Sequence, residues 1–149
     1  MPDIRHRVGI AVPRDRVYEE IASTDGLAEF WAEKVEGDPR LGGRLSFFFG
    51  GPSPAVVMEV VESKPGDRIV WRCVEGPAEW LNTTVTYDLK EGEGETVLLF
   101  THAGWRDPVK FMHHCSTKWA TFLIGLRSGL EGGPFAAHPN ETSISSSWR

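Results

Sequence analysis

Residues 4–12 alternate between apolar and polar positions. His6, Val8, Ile10 and Val12 fall on one face, with Arg5, Arg7 and Gly9 on the other. A two-residue period of this kind predicts a strand with one buried side, and Pro13 closes it. Over residues 14–22 the spacing turns helical, with Val17, Tyr18 and Ile21 as the apolar positions. Ser23, Thr24 and Asp25 are good helix caps, and Gly26 is expected to break this first helix. Leu27, Phe30 and Trp31, at i, i+3 and i+4, predict a second short helix.

From Val35 the period returns to two, and Gly42 and Gly43 mark a turn. Leu45, Phe47 and Phe49 share a face of the next strand, and Val56, Met58 and Val60 share a face of the one after. Pro65, Gly66 and Asp67 form a turn, because proline presets φ and glycine accepts positive φ. Ile69, Trp71 and Cys73 line one face of a further strand. After a break at Gly76 and Pro77, Thr83, Val85, Tyr87 and Leu89 do the same. Residues 92–95 are an acidic hairpin tip. Residues 96–102 are apolar on both parities, which predicts a strand at least partly covered on both sides.

Asp107 suits an N-cap and Pro108 a first helical position. Phe111, Cys115, Trp119, Phe122, Leu126 and Leu130 then form one stripe, flanked by Met112 and Leu123, over about six turns. Gly132, Gly133 and Pro134 end this helix. The pattern predicts an α+β fold: a curved antiparallel sheet of six to seven strands around a long C-terminal helix, with two short helices after the first strand. Residues 1–131 form that domain. Residues 132–149 are a Ser-rich tail with little pattern, expected to be flexible or loosely docked.

Charge narrows the partners. The 149 residues carry a net charge of −5 and no basic run, so neither a nucleic acid nor an anionic membrane surface is an expected partner. No apolar run is long enough to span a bilayer, and residues 1–8 lack the apolar core of a secretory signal. Cys73 and Cys115 read as buried free thiols suited to a reducing cytoplasm, with a disulfide between them as the alternative. Six Trp and eight Phe against two Tyr either fill the core or line a site for a small apolar molecule.

Several segments resemble a known family. Thr24, Asp25, Gly26 and Leu27, followed by Phe30 and Trp31, resemble the signature after the first strand in the family of activators of the heat-shock chaperone ATPase, within the START-like (SRPBCC) helix-grip superfamily. Gly42 and Gly43 before an aromatic strand are similar to that family, as is the run from Arg68 to Trp71. Thr96, Leu98, His102 and Gly104 resemble its Thr-x-Leu-x-x-x-His-x-Gly strand. Trp119, Phe122, Leu123 and Leu126 resemble its last helix. The resemblance spans residues 4–130. Lys118 departs from it, since the family more often has glycine before that tryptophan, and a long cation there re-dresses the cavity. The resemblance implies a cavity between sheet and helix. It also implies several roles: ligand carrier, polyketide-cyclase-like or hydrolase-like enzyme, or chaperone activator.

The leading expectation is a site for a small hydrophobic or aromatic molecule, lined by Trp31, Phe47, Phe49, Trp71, Tyr87, His102, Phe111, Cys115, Lys118, Trp119 and Phe122. Gly125 and Gly129, beside the buried stripe, leave room for a cavity or for close packing. His102 is either a ligand-bonding or acid–base group, or a structural histidine at a strand end. His114 and Lys118, one turn apart, present a cation to an acidic ligand group or snorkel to solvent. No catalytic residue is assignable, His102 and His114 being the candidates. An enzyme using the same cavity, with Tyr87 as a third polar group, is the second expectation. No nucleophile motif is present, and Asp25 reads as a helix cap rather than a catalytic acid. The adjacent His113, His114 and Cys115 point apart on a helix, and only His114 or Cys115 could join His102 or Cys73, so no metal and no cofactor is expected. The third expectation is an interaction module with a chaperone partner. A homodimer through the outer sheet face, where Val57 and Val61 point, stays open.

Overall fold

The computed structural model describes residues 1–145. The last four residues of the Ser-rich tail lie outside the described residues. The chain runs β1 (Ile4–Ile10), α1 (Arg14–Ile21), α2 (Thr24–Phe30), β2 (Lys34–Gly37), β3 (Arg44–Phe48), β4 (Val56–Lys64), β5 (Arg68–Glu75), a 3-10 turn (Ala78–Trp80), β6 (Thr84–Glu91), β7 (Thr96–Ala103) and α3 (Lys110–Leu130). The seven strands form one antiparallel sheet in the order β1-β7-β6-β5-β4-β3-β2. This is the α+β arrangement that the periodicity predicts and the helix-grip that the resemblance implies.

Cross-strand register explains why the inner face is continuous. Ile4 pairs with His102, His102 with Val85, Val85 with Trp71 and Trp71 with Val60. Directly opposed residues share a face, so this row and its neighbours deliver one buried wall to α3. Shifts in register between β4 and β5, at Val57/Met58 and Val60/Glu62, bend the sheet. His6 on β1 ties the helix down, its Nε2 lying 3.0 Å from the Ser116 carbonyl oxygen.

Two local expectations are corrected. Gly26 does not break the first helix. It lies inside α2, its N–H donating to the capping Ser23 Oγ at 3.0 Å. A Cβ on Gly26 would collide with the Glu20 carbonyl, so this glycine lets α1 and α2 meet closely. The long helix starts at Lys110 after Val109, with no side-chain cap, and not at Asp107 and Pro108. Its C-terminus is a Schellman motif: Gly132, at φ 96°, donates to the Gly129 carbonyl and Gly133 to the Ser128 carbonyl. β7 is covered fully on its inner side and in part on its outer side, as its apolar parities predict: Val97, Thr101 and Ala103 on the outer side are half-buried. Leu98, Phe100 and His102 are buried, whereas Leu99 is 38% exposed. Leu99 is opposed by Arg7 on β1 and Asp88 on β6, where the outer face is open to water.

Candidate functional site

The interface between α3 and the sheet has a filled part and an open part. In the filled part, Trp71 on β5 packs edge-on to Tyr87 on β6 at 5.1 Å between ring centroids. Tyr87 in turn packs on Phe100 at 5.4 Å, and Phe100 on Trp119 of α3 at 4.6 Å. All four rings are buried. Rings at these spacings and tilts gain both burial and quadrupole contacts.

His102 sits among them, buried and fully bonded. The Trp119 indole N–H donates to His102 Nδ1 at 3.1 Å, which makes Nδ1 an acceptor. The proton is therefore on Nε2, which donates to Thr83 Oγ1 at 2.8 Å, and that hydroxyl donates to the Trp80 carbonyl at 2.5 Å. Burial pushes the imidazole pKa down to about 3. Of the two readings offered by the sequence, this geometry is that of a structural histidine, a neutral bridge between β7, α3 and the residue that precedes β6.

The open part is a cavity of about 280 Å³. Trp31, at the end of α2, forms its floor with Trp119, the two ring centroids 4.8 Å apart. Phe49 and Val56 close the side formed by the ends of β3 and β4, and Pro77 and Trp80 come from the 3-10 turn. From α3 come Phe111, His114, Cys115, Lys118 and Phe122, which are neighbours on one helix face. His138 and Glu141 complete the wall from beyond the helix.

Seven of the eleven ligand-site residues expected from the sequence line this cavity: Trp31, Phe49, Phe111, Cys115, Lys118, Trp119 and Phe122. His114, the second catalytic candidate, joins them. Phe47, Trp71, Tyr87 and His102 do not reach the wall, because other side chains cover them in the filled part. The Tyr87 hydroxyl has no hydrogen-bond partner among the described residues, and burial pushes its phenol upward. Five wall residues were not expected at the site: Val56, Pro77, Trp80, His138 and Glu141. Trp80 was findable as a large ring beside a Gly-Pro break. The two tail residues belong to no periodic pattern.

The rim of the cavity carries its charge. Lys118 Nζ donates to Glu141 Oε2 at 2.9 Å and lies 5.7 Å from the centroid of the Phe122 ring. His138 Nδ1 is 3.0 Å from the same carboxylate oxygen. Burial works against the Glu141 carboxylate, but the hydrogen bonds from His138 and Lys118 outweigh it and hold its pKa below the usual carboxylate range. An ionised carboxylate only accepts, so His138 Nδ1 carries a proton. His138 also donates its backbone N–H to the Trp31 carbonyl at 3.0 Å, and its ring lies 5.5 Å from Phe49. Further along, the Phe135 ring occupies the space over Gly129 where a side chain would otherwise stand. His114 stacks on Phe111 at 6.1 Å, and burial together with the Lys118 charge lowers its pKa. Cys115 and Cys73 are separate free thiols. Burial pushes Cys115 up to about 12, so it contributes an inert surface rather than a nucleophile.

No curated protein matches the sequence. Among solved structures, the Aha1 dimer from Colwellia psychrerythraea is 32% identical with a TM-score of 0.81, over 89% of this chain and 98% of that one. Protein SSP2350 from Staphylococcus saprophyticus is 20% identical with a TM-score of 0.76, over 91% and 97%. CalU16 from Micromonospora echinospora is 20% identical with a TM-score of 0.72, over 89% and 76%. The last two establish a shared fold. The family model described as activator of Hsp90 ATPase homolog 1-like protein matches residues 11–131, the two short helices, β2 to β7 and α3 together, and the chain belongs to that family.

Proposed function

We propose that this protein binds a small hydrophobic or aromatic molecule at the open end of its grip. The observation that carries this reading is the cavity itself. It has about 280 Å³ of space bounded by six aromatic rings, with Lys118, Glu141 and two histidines as its polar groups. Ligand sites combine such apolar walls with a few convergent polar groups, and this volume lies just below their usual range of about 300–1,000 Å³, which suits a small molecule. A binding role is favoured over an acid–base enzyme because, of His102, His114 and Tyr87, only His114 is on the wall. Native mass spectrometry of the purified protein, followed by denaturing analysis of released molecules, tests the reading together with an NMR titration against 2-naphthol. Shifts confined to the indole N–H groups of Trp31, Trp80 and Trp119 are expected. No shift at millimolar naphthol, with no co-purifying molecule, overturns it.

A second reading is favoured by one observation, the 32% identity to the Colwellia Aha1 dimer. On this reading the chain self-associates and stimulates a chaperone ATPase. Sedimentation velocity and chaperone ATP turnover, with and without the protein, decide it. A monomer that leaves turnover unchanged at saturation removes this alternative.

A further inference from the structure

Resting on the ligand-binding reading above, we propose that the molecule the cavity takes is an amphipathic acid, an apolar body bearing one carboxylate, and that Glu141 holds that carboxylate's place on Lys118 until the acid arrives. Lys118 is the starting point. Its side chain is 26% exposed, and its ammonium sits beside Phe122 in a wall made mostly of rings. A partly dehydrated cation requires an anion. The chain supplies one of its own in Glu141, whose side chain is only 6% exposed and whose Oε2 binds both Lys118 and His138.

Glu141 belongs to the tail, whereas Lys118 belongs to the long helix. The tail is attached through the His138 N–H on the Trp31 carbonyl and the Phe135 ring over Gly129. These contacts bring a carboxylate to the mouth of an apolar cavity, and a ligand acid has to present its own carboxylate at the same place. Exchanging one carboxylate for another leaves the charge of the site unchanged and Lys118 paired throughout. A neutral ligand gains nothing from the exchange, and a cationic one meets Lys118 as a like charge. His114, one turn from Lys118, is held toward its neutral form by burial and by Lys118 itself, so the ammonium is the group that reads the acid.

The test uses 1-naphthaleneacetic acid and 1-naphthaleneacetamide, the same ring with and without the charge. Affinities are read at neutral pH from NMR shifts of the tryptophan indole N–H groups. In Glu141→Gln, which keeps the shape and removes the internal competitor, the acid is expected to bind about tenfold or more tighter than the amide. In the wild type the preference is expected to be smaller, about threefold, because Glu141 competes. In Lys118→Met the preference for the acid is expected to vanish or reverse, since Glu141 then faces the ligand carboxylate without its cation, and a wild-type circular dichroism spectrum shows that this variant is folded. Equal affinities for acid and amide in Glu141→Gln, with both probes bound, overturn the carboxylate assignment and leave the cavity reading standing. A preference that survives Lys118→Met overturns the role of Lys118. Binding of neither probe at millimolar concentration overturns both readings.

Discussion

The two parts of the helix–sheet interface are built from the same residue types and do opposite things with them. Both contain tryptophans, a phenylalanine and a histidine. Around Trp119, Phe100, Tyr87 and Trp71 every ring is covered, and His102 has both nitrogens bonded and a pKa pushed down to about 3. Around Phe49, Phe111 and Phe122 the rings bound open space, and His138 and His114 face a cavity edged by an ion pair. The difference lies in what stands opposite. The filled part has a strand on every side: β5, β6 and β7 pair in register through Trp71, Val85 and His102. The open part is bounded by the ends of β3 and β4, a short 3-10 turn and the tail, which leave gaps between them. Residue type alone therefore does not separate a core from a site here.

The largest expected effect that sharpens this contrast is Trp119→Ala against Phe49→Ala. Trp119→Ala removes a buried ring that joins the filled part to the cavity floor, together with the donor to His102, and is expected to cost about 3–5 kcal/mol in urea unfolding. Phe49→Ala, at the cavity wall, is expected to cost about 1–2 kcal/mol, because its ring is only partly buried. Equal costs would erase the distinction between the two parts.

Next comes His102 in acid. Its folded pKa is depressed, so between its ordinary value of 6.5 and about 3 the unfolded chain binds a proton that the folded one does not. Stability contributed by neutral His102 is present above pH 6.5 and falls as the pH drops through that window, by up to about 1.4 kcal/mol per unit. Unfolding free energies measured across this range should show a shallower slope in His102→Gln. An unchanged slope would mean that His102 takes up its proton without leaving the fold.

Tyr87→Phe is expected to raise stability by about 1 kcal/mol in the same assay, since it deletes a buried hydroxyl without a protein partner. A loss instead would reveal that the hydroxyl has a partner. The smallest thermodynamic effect is expected for Gly129→Leu. The new side chain displaces the Phe135 ring, while the helix gains about 0.5–1 kcal/mol of propensity. Hydrogen exchange should speed up at residues 135–141 and stay unchanged on β5 to β7. An unchanged tail would show that Phe135 is not what holds it.

Much of the fold is legible in the sequence, because period and punctuation are local properties. Leu45 and Phe47, Ile69 and Trp71, and Val85 and Tyr87 sit on the inner face as their alternation requires. The apolar stripe from Cys115 to Leu130 is the buried face of α3. Gly26 was misread because its role depends on what lies across from it, the Glu20 carbonyl. The site follows the same division. Its aromatic lining on the long helix can be read from Phe111, Trp119 and Phe122, because helical spacing places them together. Which inward rings stay covered, and that His138 and Glu141 return to meet Trp31 and Lys118, are decided only in three dimensions. A hydrogen bond between residues 23 positions apart leaves no periodic trace in a chain, whereas a strand or a helix repeats its rule at every second or fourth residue.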